Sequence, residues 1–186
     1  MSTEWRNANM NKEEQIEQIE NTLMRLKEYG VTEDVIVKRY ENKILSLKNV
    51  VLSYFFAKNV DGADVIAHGK VIIESKDPAW NYFFASEIKG ADIKAHEKAV
   101  IESKDPEWNC KFVNAVEGAD IKAHGKVVIE SKDSDFNDWF KKNFEDEYEI
   151  IKRNYLIKGA YNFIDNALDE MIEENKEENK SMQKRF

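Results

Sequence analysis

The sequence predicts an all-α protein: an αα-hairpin repeat solenoid with an N-terminal helical hairpin cap and a long C-terminal capping helix. Three observations predict it. Residues recur every 28 positions, as in Gly62/Gly90/Gly118, Asp64/Asp92/Asp120, His68/His96/His124, Ser75/Ser103/Ser131 and Asp77/Asp105/Asp133. A fixed period of this size marks stacked supersecondary units rather than one irregular globule. The 186 residues include only two prolines and seven glycines, which suits helix throughout. Each unit also carries two capping signals, hence two helices.

Three parts follow. Residues 1–53 read as the N-terminal helical cap. Residues 54–144 hold three units (54–81, 82–109 and 110–137) and a partial fourth that starts at Asp138 and loses the pattern after Phe144. Residues 145–186 read as a helix and a polar tail. This is one domain, or one continuous stack.

In the cap, Ile16, Ile19, Leu23 and Leu26 follow helical spacing and Gly30 ends the helix. Thr32 is expected to cap the next helix, with Val31 and Ile36 as a hydrophobic staple. Ile36, Tyr40, Ile44 and Leu47 make its expected buried stripe. Asn49 stands in the slot of Asp77 and is expected to cap the first repeat helix.

The middle unit shows the repeat logic. Asp77-Pro78 reads as N-cap and first helical position, because the carboxylate takes orphan N–H groups and proline has none to lose. Helix A runs from there towards Gly90, a left-handed stop. Asp92 caps helix B, which runs Ile93 to Glu102 before Asp105-Pro106 restarts the pattern. Helices this short are marginal alone and must stack.

Comparing the copies separates faces. Trp80/Trp108/Phe136, Phe84/Phe112/Phe140 and Ile88/Val116/Phe144 stay large and apolar at i, i+4, i+8, and read as core. The slots Ala79/Glu107/Asp135, Tyr82/Cys110/Asp138, Phe83/Lys111/Trp139 and Ser86/Asn114/Lys142 vary on the other side. That side yields the candidate partner-binding residues: Tyr54, Phe55, Tyr82, Phe83, Lys111, Trp139 and Lys142. The competing reading is ordinary solvent surface, with some of these aromatics covered by the N-terminal helices.

After Phe144, Ile150, Ile157, Tyr161, Ile164, Leu168 and Met171 fit 4-3-4-3 spacing with Asn154 in the open slot. Gly159 is an expected interruption, and 174–186 an expected frayed tail. Apolar surface left over on this helix would serve a homodimer.

Chemistry is sparse. Neighbouring equivalent helices pack about 8–10 Å apart, whereas zinc–nitrogen bonds are about 2 Å. His68, His96 and His124 therefore form a ladder too wide for one ion, and read as partly buried histidines, each using a ring nitrogen to satisfy a backbone or hydroxyl group. Cys110 reads as an inert surface or boundary residue. Gly69 and Gly125 sit inside helix B at a cost of about 1 kcal/mol each. Glu97 fills the same slot, so the sequence gives no reason for them. There is no phosphate-binding glycine loop, paired-carboxylate motif or metal-ligand spacing, so no catalytic residue, metal or cofactor is expected.

Net charge is −8. Residues 1–53 carry 8 basic and 9 acidic groups, 54–144 carry 13 and 16, and 145–186 carry 7 and 11. No basic stripe appears, so nucleic acid is not the expected ligand. One cysteine fits a reducing compartment. Met1 to Trp5 lack a leader's apolar run, and Val50 to Ala57 is too short to span a bilayer. The expected location is cytoplasmic, with no membrane partner.

The string from Gly90 to Pro106, GADIKAHEKAVIESKDP, resembles repeats in uncharacterised helical-repeat proteins of low-GC bacteria and their phages. The resemblance covers residues 49–144. It implies an αα-repeat fold and no known activity. The 23 Lys against 5 Arg are in keeping with such a source. Small, non-enzymatic, cytosolic proteins of such genomes often act by blocking a host complex, and that general pattern, not the repeat itself, sets the functional expectation. The expected function is thus non-enzymatic binding of a protein partner, as an inhibitor of a bacterial nuclease or defence complex. The alternative is a nucleic-acid-binding or DNA-repair-like helical-repeat enzyme, which needs a basic concave face and a cleft acid.

Overall fold

The computed structural model describes residues 11–183. Met1 to Trp5, read above for a leader, and the last three residues of the tail lie outside them. The described residues form ten helices and no strand: α1 (Lys12–Glu28), α2 (Glu33–Ser46), α3 (Val50–Asn59), α4 (Val65–Ser75), α5 (Pro78–Glu87), α6 (Ile93–Ser103), α7 (Pro106–Ala115), α8 (Ile121–Ser131), α9 (Ser134–Asn143) and α10 (Glu145–Gln183). None is long and apolar enough to cross a membrane.

Caps set the boundaries. Asp64, Asp92 and Asp120 accept from the N–H of Ala67, Ala95 and Ala123 at 2.9, 3.1 and 3.0 Å. Asp77 and Asp105 each accept two N–H groups at the start of α5 and α7. Asn49 accepts from Leu52 at 2.9 Å, as its slot requires. Thr32 occupies the cap position of α2 but its side chain makes no capping bond. Lys48, Lys76, Lys104 and Lys132 close the preceding turns at φ of 49, 58, 59 and 60°. This left-handed region costs a residue with a Cβ about 1 kcal/mol or more.

Helices pair as α3–α4, α5–α6 and α7–α8, and the hairpins stack in register: α3, α5, α7 and α9 form one layer, and α2, α4, α6 and α8 the other. Phe56, Phe84, Phe112 and Phe140 are fully buried between the layers. The repeat register extends further than the sequence reading placed it. The left-handed Lys48 lies 28 residues before Lys76, and α2 packs on α4 as α4 packs on α6. The N-terminal hairpin is thus a degenerate unit of the stack. At the other end, the first turns of α10 pack on α8 and α9 and fill the helix B place of the fourth unit.

Several expectations are corrected. Trp80, Trp108 and Phe136 are half-buried rather than core, because their rings overhang the seam between neighbouring A helices, and Phe144 is half-buried against Trp139 and Phe140 at the end of α9. Leu47 and Ile19 are exposed, since they line an open apolar groove of α1 and α2 with Leu23, Leu26, Tyr40 and Ile44. Cys110 is buried among Val113, Val128 and Phe140, and burial pushes its thiol pKa up to about 12. Helix α10 runs through Gly159 without a break and continues to Gln183, so its tail is helical over 174–183. A glycine costs a long helix about 1 kcal/mol but does not have to break it.

Candidate interaction surface

The histidine ladder belongs to the core. Asn81 Nδ2 donates to the Ile72 and Asp77 carbonyls at 3.3 and 2.8 Å, which leaves its Oδ1 as acceptor. His96 Nδ1 lies 2.8 Å from that oxygen, so it carries the proton and donates. Asn109 and His124 repeat the arrangement at 2.7 Å. The partner is a side-chain amide, not the backbone or hydroxyl group expected. The signal was present as Asn81, Asn109 and Asn137, spaced by the repeat period. In the first unit serine replaces asparagine, and Ser53 Oγ and His68 Nδ1 are buried with no hydrogen-bond partner. Burial lowers the pKa of all three histidines, of His96 to about 4.

The glycines are explained by the next unit. A Cβ on Gly69 would stand 3.1 Å from His96 Nε2 and 3.2 Å from Phe84, and one on Gly125 would stand 2.5 Å from Phe140 and 2.7 Å from Ile151. The same slot holds Glu41 and Glu97 in the alternate units. Their carboxylates accept the N–H of Asp64 and Asp120, each at 2.6 Å, and face His68 and His124 at 3.5 Å. Glycine and glutamate thus alternate along one seam: one permits contact, the other fills the gap with a satisfied carboxylate.

On the outer side of the A helices the structure brings most of the candidate aromatics into one row. Tyr54 meets Trp80 at 5.4 Å between ring centroids, and Trp80 meets Phe83 at 6.4 Å. Phe83 and Tyr82 both meet Trp108, at 5.8 and 5.7 Å. Lys111 Nζ lies 4.0 Å over the Trp108 ring and pairs with Glu107 at 2.6 Å. The row crosses α3, α5 and α7, and its rings are half-buried, with Phe83 the most exposed at 36%. At its near end the Tyr54 hydroxyl donates to Glu87, which also pairs with Lys58. That pairing lowers the Glu87 pKa, chiefly through the bond from Lys58.

The remaining candidates separate from the row. Phe55 packs into the N-terminal core around Ile36 and Leu23. Trp139 packs against Phe144 at 6.1 Å, and with Phe136 lines a groove of about 440 Å³ whose other wall is Glu107, Cys110, Lys111 and Asn114. Lys142 is exposed. Trp80 and Trp108 were missed as surface residues because their invariance among the copies mimics that of a core slot. Among the described residues no cluster of His, Cys, Asp or Glu could hold a metal ion. No family model, curated protein or solved structure matches this chain.

Proposed function

We propose that the protein is a non-enzymatic scaffold that binds a protein partner along the row Tyr54, Trp80, Phe83, Tyr82, Trp108 and Lys111. One observation carries this reading: partly exposed aromatic rings in mutual contact across three helices, ended by a cation over a tryptophan. Large aromatics and cations dominate the energetics of protein interfaces, and contiguous apolar surface is uncommon on a monomer without a use for it. The charges beside the row are mixed: Lys58 and Lys111 alternate with Glu87 and Glu107. Mixed charge suits a protein better than a phosphate backbone. With the resemblance to phage and bacterial repeats, this supports an inhibitor that occupies a surface of a bacterial nuclease or defence complex.

The test is affinity capture from the source organism with the native chain and with a Phe83→Ala/Lys111→Glu variant whose fold is checked by circular dichroism. The variant should lose at least about tenfold in capture of a specific protein, and the native chain should inhibit the captured complex stoichiometrically. Equal capture by the folded variant rules out the row. Recovery of nucleic acid with a steep salt dependence favours the alternative ligand class.

A further inference from the structure

Helix α10 leaves the stack after its first two turns. Tyr148 is buried and Ile151 half-buried against α8 and α9. Beyond them Leu156, Ile157, Tyr161, Phe163, Ile164 and Leu168 expose between 46% and 74% of their surface. From Lys152 to Gln183 the helix extends roughly 48 Å, at about 1.5 Å per residue. An isolated helix that exposes so much apolar side chain is not a finished surface. Ile157, Tyr161, Ile164 and Leu168 follow 4-3-4 spacing, the period of a coiled-coil seam.

We propose that α10 pairs antiparallel with α10 of a second copy of this chain. Charge selects both the occupant and its direction. Residues 152–158 contain Lys152, Arg153 and Lys158 and no acid, while 165–174 contain Asp165, Asp169, Glu170, Glu173 and Glu174 and no base. Such a helix complements a reversed copy of itself and repels a parallel one. Register agrees with charge. Setting Tyr161 opposite Ile164 of the second copy sets Ile157 opposite Leu168, and the two-fold axis doubles each layer. At the flanking positions the same register places Lys158 beside Asp165 and Arg153 beside Glu174. It also sets Ala160 beside Ala167, where small side chains allow close approach. A parallel pair would place Arg153 beside Lys158 instead. Flanking charges of this kind set partner and orientation in paired helices. The surface is separate from the aromatic row, so the pair presents two rows at opposite ends.

Sedimentation equilibrium of the full chain tests this. The expected particle has twice the 21.7 kDa chain mass. Lys158 is exposed, so Lys158→Asp should leave the circular dichroism of the stack unchanged. It should weaken dimerisation by about tenfold or more, since two attractive pairs become repulsive. Adding Asp165→Lys should restore it to within about threefold. A chain that stays monomeric at about 100 µM, including one that instead captures an unrelated protein on α10, overturns the proposal. So does a dimer indifferent to both substitutions. Tighter association of Lys158→Asp alone would mean parallel pairing and overturn the assigned direction.

Discussion

His96 has no exposed surface, and its ring shows how single residues set the properties of the stack. Burial holds its pKa at about 4, against 6.5 for a solvated ring, with Asp92 offsetting part of the shift. The unfolded chain therefore binds a proton between pH 6.5 and 4 that the folded chain does not, and stability must fall as pH falls through that window. The loss should reach roughly 3 kcal/mol near pH 4. Thermal melts from pH 7.5 to 4 should show it, with a shallower decline in His96→Gln; a flat profile would overturn the neutral, buried assignment. The first unit offers the converse test. Ser53 is too short to make the bonds Asn81 and Asn109 make, and leaves His68 Nδ1 without a partner. Ser53→Asn should raise stability by about 1 kcal/mol, the usual worth of a completed buried hydrogen bond. A lower denaturation midpoint would show that the first unit has no room for the amide.

At the scale of the helix, adjacent positions on α5 do different work. Phe84 is fully buried beneath the hairpin, against Ile72 and Ile88. Phe83 turns outward into the aromatic row and keeps 36% of its surface exposed. Phe84→Ala should cost about 3–5 kcal/mol, whereas Phe83→Ala should cost about 1 kcal/mol, the scale of its ring contacts. Chemical denaturation of the two variants checks the ranking, and the reverse order would mean the faces are exchanged. The helix A pattern was legible because burial alternates with the helical period. The half-buried state of Trp80 and Trp108 was not, since a ring on the seam between two helices varies as little as a ring in the core.

At the scale of the whole molecule, the stack survives by covering its last open face. Tyr148 and Ile151 of α10 close the end formed by α8 and α9, where Gly125 leaves room for Ile151. End units of solenoids must supply such a cover. A chain ending after Phe144 should be less stable than one ending after Leu156 by about 2–3 kcal/mol, from one buried and one half-buried side chain. Both truncations lack the rest of α10, so the comparison isolates the cap. Equal melting temperatures would show that the stack needs no cover there. In the proposed dimer the remainder of α10 serves association rather than this end.

The sequence by itself determined the helical class, the two-helix unit, its boundaries and the fully buried phenylalanines. These follow from caps, stops and apolar spacing, which act within a few residues of each other and so can be read in one dimension. Only the tertiary structure decided what each seam does. Glycine at 69 and 125 and glutamate at 41 and 97 make sense once the neighbouring unit is in place, because the space they leave or fill belongs to residues 15–30 positions away. The aromatic row likewise arises from rings on three separate helices that stacking brings within about 6 Å of one another. Contacts between units are set by how the units pack, and a repeat period states that they pack without stating what they present.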